Sequence, residues 1–164
     1  MSAENQSIPT PALILGFGGL IPFFTAALLV WLQPDINSGL PTWIVSPNAN
    51  SAQLATLALG TYGAVILSFL GGVRWGNLLF DENNLKRWMP LTLSVLPSLI
   101  AWPALLLSPV PQLALLSAGF TLQYALDVKA GKRNEIPAWF LRLRLILTSG
   151  AITSLLIGLL GNVH

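Results

Sequence analysis

The sequence predicts an all-α, polytopic membrane protein: a five-helix transmembrane bundle with its N-terminus inside and its C-terminus outside. Three observations carry this. Charged residues make up 9% of the chain, against about a quarter in soluble proteins, while apolar residues make up 54% and mean hydropathy is +0.70. A chain so poor in charge cannot clothe a soluble surface. The apolar residues gather into five runs of roughly bilayer-spanning length, separated by polar or proline-bearing segments. All eight Lys and Arg residues fall in or beside two of the connecting segments, which is the charge signature of cytoplasmic loops.

Composition also narrows the function classes. The 164 residues fit a single transmembrane domain, 1–164. The isoelectric point near 9.4 rests on a net charge of only +2, too little for a nucleic-acid footprint, and no nucleic-acid partner is expected. Without Cys there is no disulfide, thiolate chemistry or zinc–sulfur site. The opening MSAENQSIPTP has no basic stretch ahead of the first apolar run, so that run reads as an uncleaved span rather than a secretory signal.

The first span is expected at about 12–32, a run without a charge. Pro22 inside it cannot donate an N–H and crowds the carbonyl of Gly18. Two readings of that proline stand: a bend beside a glycine contact, or a broken helix lining a cavity. A polar loop follows, with Pro34, Asp35, Pro41 and Pro47, and with Trp43 dipping toward the interface.

The second span, about 54–73, is the segment around which the bundle is organised. Small residues recur at every fourth position: Ala52, Thr56, Gly60, Ala64, Ser68, Gly72 and Gly76. Residues four apart share a helix face, and a groove of small side chains lets two backbones approach closely in lipid. The third span, about 90–107, carries Pro97 and Pro103 in its interior. The short SPVP turn after it makes the third and fourth spans antiparallel neighbours. The fourth span, about 112–128, is the most polar, with Gly119, Gln123 and Asp127 on one face. The basic segment KAGKRNEIP then leads through Pro137 into the fifth span, about 138–160. Its opening turns hold Arg142 and Arg144, and Gly150, Ser154 and Gly158 repeat the small-residue spacing. Spans two and five are therefore expected to pack antiparallel along Gly60, Ala64, Ser68, Gly72 and Gly150, Ser154, Gly158.

With the two basic loops cytoplasmic, five spans leave the C-terminus outside. The tryptophans agree: Trp75, Trp88 and Trp139 fall at the inner boundary, and Trp31, Trp43 and Trp102 at the outer one.

The segments LILGFGGLIPFF, YGAVILSFLGGVRWG, LSVLPSLIAW and PAWFLRLRLILT resemble a family of small bacterial inner-membrane proteins built on a domain of unknown function. Mitochondrial transmembrane protein 69 is a relative of that family. The resemblance covers about 13–160, and FLGGVRWG is its most specific element. It implies a multi-pass protein of the bacterial inner membrane and carries no catalytic residue over to this chain.

Little in the sequence suits catalysis. The single His is the terminal residue, His164, and no cluster of metal ligands exists, so neither enzymatic activity, metal nor cofactor is expected. The remaining constellation is Arg74, Asp127, Arg142 and Arg144, all at the inner ends of spans. Charges at membrane depth are costly unless paired or snorkelling. Arg74 and Asp127 form the expected ion pair. Arg74, Arg142 and Arg144 form a candidate anion or lipid head-group site, since three guanidinium groups exceed one carboxylate. The expected role is that of a non-enzymatic assembly, scaffold or lipid-interacting bundle. Its partners would be membrane lipid, a membrane protein or a second copy of the chain. The alternative is a small-solute transporter using the kinked spans one and three and the polar face of span four.

Overall fold

The computed structural model describes residues 7–33, 50–80 and 88–163. Among the described residues there are five helices and no strand: α1 Thr10–Leu32, α2 Ser51–Leu79, α3 Trp88–Ala104, α4 Pro109–Lys132 and α5 Ala138–Gly161. Three of them, α1, α2 and α5, are long and apolar enough to cross a membrane. Helix α3 is apolar but only 17 residues long. Helix α4 has 24 residues, and its Gln112, Gln123, Asp127, Lys129 and Lys132 keep its hydropathy below that of the other long helices. Trp43, Lys86, Arg87 and His164 lie outside the described residues.

Local chemistry sets the helix ends. Helix α2 starts in a capping box, in which the Asn50 side chain accepts from the Ala52 N–H at 2.9 Å and Gln53 Oε1 accepts from the Asn50 N–H at 3.3 Å. Pro9, Pro109 and Pro137 sit at the starts of α1, α4 and α5, where a missing N–H costs nothing. Helix α2 continues through Arg74, Trp75 and Gly76 to Leu79, beyond its apolar run, because those residues have no reason to break a helix already nucleated. The prolines do not interrupt their helices either: α1 is continuous through Pro22 and α3 through Pro97 and Pro103. The broken-helix reading of Pro22 is thereby corrected.

The helices close a ring, each packed on its neighbour in sequence and α5 packed on α1, while α2 also reaches across to α4. The centre is filled by Phe23, Leu59, Leu67, Leu113, Leu116, Phe120 and Leu155, all fully buried. Phe23 meets Tyr62 and Phe120 edge-on, with ring centroids 4.9 and 5.9 Å away. Outward, large apolar side chains such as Leu15, Ile21, Phe69 and Trp102 are exposed, as a lipid-facing surface requires.

The small residues work differently from the expected α2–α5 seam. Gly158 receives Leu59 of α2, and Asn162 Nδ2 donates to Thr56 Oγ1 at 2.9 Å, so the two helices are antiparallel and touch at this end. Farther along they part. Gly150 receives Leu20 of α1, where an added Cβ would stand 2.8 Å from its side chain, and Gly60 receives Gln112 of α4. Ala64 is buried, Ser68 half-buried, and Ser154 is fully buried with its hydroxyl donating to the Gly150 carbonyl at 2.9 Å. Gly72 is exposed and an added Cβ there meets nothing within 4 Å. The tight approach lies one residue earlier, at Gly71, where a Cβ would stand 2.5 Å from the Ser94 carbonyl oxygen of α3. The physical reason is helix geometry. Four residues advance the helix by about 400°, so a four-residue stripe drifts about 40° per step. Between Gly60 and Gly72 it turns through about 120° and passes from one neighbour to the next.

Candidate functional site

The basic and acidic groups gather where the C-terminal ends of α2 and α4 meet the N-terminal ends of α3 and α5. Asp127 lies five residues before Lys132, the end of α4, and Arg144 six residues after Ala138, the start of α5. At 1.5 Å per residue those offsets are about 7.5 and 9 Å, so a tight α4–α5 connection brings the two to one depth. Arg144 Nε donates to Asp127 Oδ2 at 2.9 Å. One turn earlier on α4, Gln123 Nε2 donates to Asp127 Oδ1 at 3.3 Å. All three are buried, Asp127 to 8% exposure, Arg144 to 6% and Gln123 to 2%.

The expected Arg74–Asp127 pair is therefore corrected: the carboxylate is held by Arg144. The α4–α5 hairpin offers Asp127 a partner on the adjacent helix, whereas Arg74 stands across a cavity of about 270 Å³ that it lines together with Asp127, Gln123 and Asn77. Arg74 Nε is buried and has no hydrogen-bond partner among the described residues.

The expected trio Arg74, Arg142 and Arg144 does not assemble either. Positions 142 and 144 are about 200° apart around a helix, so one faces the core when the other faces out. Arg144 is buried, and Arg142 is exposed. What joins Arg74 instead is Lys129 and Arg133 from the end of α4. These three cations line a second cavity of about 520 Å³, with Glu135 as its acid and Leu78, Met89 and Leu93 among its apolar walls. Arg133 and Glu135 approach to 3.7 Å at the exposed rim. Arg74 is thus a wall shared by two adjoining cavities.

Lys129 and Arg133 are functional candidates that sequence reasoning passed over. Their signal was present as a four-residue spacing of like charge at the end of α4, but it reads equally as a positive-inside anchor. Thr148 is another. Thr56, Ser117, Thr121 and Ser154 each donate to the carbonyl four residues earlier. The Thr148 hydroxyl is buried and without a partner among the described residues, as are Arg144 Nη2 and Gln123 Oε1. Among those residues no three His, Asp or Glu side chains come together as metal ligands would.

Residues 8–160 match the model of a family described as protein of unknown function, DUF3429. The chain belongs to the DUF3429 family. This DUF3429 protein is similar to transmembrane protein 69 of Xenopus tropicalis, 40% identical over 162 residues that cover 96% of this chain and 56% of the relative. It is similar as well to transmembrane protein 69 of Mus musculus, 32% identical over 158 residues covering 95% of this chain and 58% of the relative. The chain thus spans a little over half the length of these relatives. No solved structure matches it. Transmembrane relatives and apolar helices together make the DUF3429 protein a membrane protein.

Proposed function

We propose that this DUF3429 protein is a non-enzymatic, multi-pass helical bundle of the bacterial inner membrane that holds an acidic lipid head group at its cytoplasmic end. The observation that carries this is the cavity of about 520 Å³ shared by Arg74, Lys129 and Arg133. Among the described residues that line it, three cations against Glu135 leave an excess of two positive charges, which a phosphate neutralises through charge-assisted hydrogen bonds. The apolar walls at Leu78, Met89 and Leu93 suit the glycerol and upper acyl region of the same molecule. Trp88 at the rim is 89% exposed, as a tryptophan at the head-group boundary would be.

In this reading all five helices cross the membrane. Lys129, Lys132 and Arg133 set the α4–α5 connection on the cytoplasmic side, with the N-terminus there and the C-terminus outside. The lipid-bound face is then where a membrane-protein partner or second copy would dock. The transporter alternative rests on the prolines of α1 and α3 and on the polar face of α4, and the basic cavity favours the lipid reading over it.

Native mass spectrometry from mild detergent tests the proposal. The wild type is expected to retain one acidic phospholipid, and the Arg74→Gln/Lys129→Gln double variant to lose it while remaining folded. A wild type that retains no lipid, or retains zwitterionic lipid equally well, would overturn it.

A further inference from the structure

A third cavity lies away from the basic end and answers to different chemistry. It is a cleft of about 170 Å³ bounded by α1, α2 and α5, with Phe120 of α4 also in its wall. Two glycines of α1, Gly16 and Gly19, line it: Leu147 packs against Gly16, and the missing side chain of Gly19 leaves open space. At Gly19 an added Cβ would find no atom nearer than the Tyr62 hydroxyl at 3.8 Å. Leu15 and Phe69 belong to the same cleft and are 76% and 63% exposed, so it opens outward, toward lipid. Its remaining lining includes Arg144 and Thr148, at positions four apart on α5.

Those two side chains set the chemistry. Arg144 is 6% exposed and Thr148 4%, and neither Arg144 Nη2 nor Thr148 Oγ1 has a hydrogen-bond partner among the described residues. Buried polar atoms left unpaired are costly, and native structures pair them with protein, water or ligand. A guanidinium nitrogen only donates, so the missing group is an acceptor. It is not an anion: Asp127 already neutralises Arg144 at 2.9 Å, and a second negative charge would be buried without compensation. A neutral carbonyl meets both conditions. The walls limit the rest. Phe23, Phe69 and Phe120 present aromatic surface, and a cavity of about 150 Å³ lined by apolar side chains admits a six-membered ring.

We infer that the α1–α2–α5 cleft binds a membrane-soluble quinone, its ring among the phenylalanines and one ring carbonyl accepting from Arg144 Nη2 and Thr148 Oγ1. The apolar tail leaves between Leu15 and Phe69 into lipid. The inference concerns binding alone and is separate from the head-group cavity, which shares no lining residue with the cleft.

The probe is decyl-substituted benzoquinone, titrated against the full chain in detergent micelles by isothermal calorimetry. Saturable binding at one site per chain is expected. Thr148→Val keeps the shape of the side chain and removes the hydroxyl, and should weaken binding about tenfold, the equivalent of one hydrogen bond. Gly19→Leu fills the cleft and should abolish binding, and melting curves without quinone report whether each variant is folded. Arg74→Gln, at a residue outside the lining of the cleft, should bind as the wild type does. Absence of saturable binding to the wild type overturns the inference. So does equal binding by folded Thr148→Val and Gly19→Leu, and so does loss of binding in Arg74→Gln, which would put the probe in the basic cavity instead.

Discussion

Asp127 of α4 and Arg144 of α5 are bound to each other at 2.9 Å with both side chains buried, and Arg74, the other basic candidate, stands across a cavity from them. Breaking a buried pair by removing one member strands the other charge, at a cost of about 3–5 kcal/mol. Asp127→Asn and Arg144→Gln should each lower the melting temperature in detergent by that equivalent. The double variant should lose markedly less than the sum, since no unpaired charge remains. In contrast, Asp127→Asn and Arg74→Gln should combine within about 0.5 kcal/mol of additivity. Additivity in the first cycle and coupling in the second would reverse the assignment.

Two adjacent glycines should respond oppositely. At Gly71 a Cβ would stand 2.5 Å from the Ser94 carbonyl oxygen and 3.3 Å from Pro97, so even alanine forces α2 and α3 apart. Gly71→Leu is expected to cost at least about 1–3 kcal/mol. Gly72 opens onto the exterior, and Gly72→Leu should leave the melting temperature within experimental scatter. Equal losses at both positions would mean that α2 is rotated from the orientation described.

The Asn162–Thr56 hydrogen bond at 2.9 Å ties the end of α5 to the first turns of α2. Asn162 Nδ2 also donates to the Gly158 carbonyl at 2.8 Å. Thr56→Val retains the packing and removes the hydroxyl, so a loss of about 1 kcal/mol is expected. Asn162→Leu should cost a similar amount alone and little more when Thr56→Val is already present. Independent effects in denaturation experiments would show that the two ends are not coupled.

The proposed topology is open to labelling, because the chain has no cysteine of its own. Ser108 stands in the exposed turn between α3 and α4, and Asn134 in the exposed turn between α4 and α5. A Cys introduced at Ser108 should react with an impermeant maleimide in intact cells, and one at Asn134 only after permeabilisation. Labelling of both from one side would show that α4 does not span, and the opposite pattern would invert the bundle.

The helices themselves were legible in the sequence. Apolar runs of the right length and prolines at their edges place the five helices within a few residues of their observed limits, because helix formation in an apolar stretch depends on local backbone satisfaction. The largest departure, at α2, arises where the helix outlasts its apolar run by six residues, from Val73 to Leu79. The concentration of Lys and Arg beside two connections was equally plain, and so was the polar face of Gln123 and Asp127.

Pairing was another matter. The sequence by itself determined that Asp127 falls at the end of a largely apolar run and needs a cation, and that Gly60, Gly150 and Gly158 leave notches. Only the tertiary structure decided that the cation is Arg144, that Gly150 holds Leu20 of α1, that Gly60 holds Gln112 of α4, and that Gly71 rather than Gly72 meets α3. Periodicity reports which residues share a face of one helix. It carries no information on which helix lies opposite, because that depends on how five rods close around a common core. The rotation of each rod about its axis then selects between residues as near as 142 and 144, placing one guanidinium in the interior and the other outside.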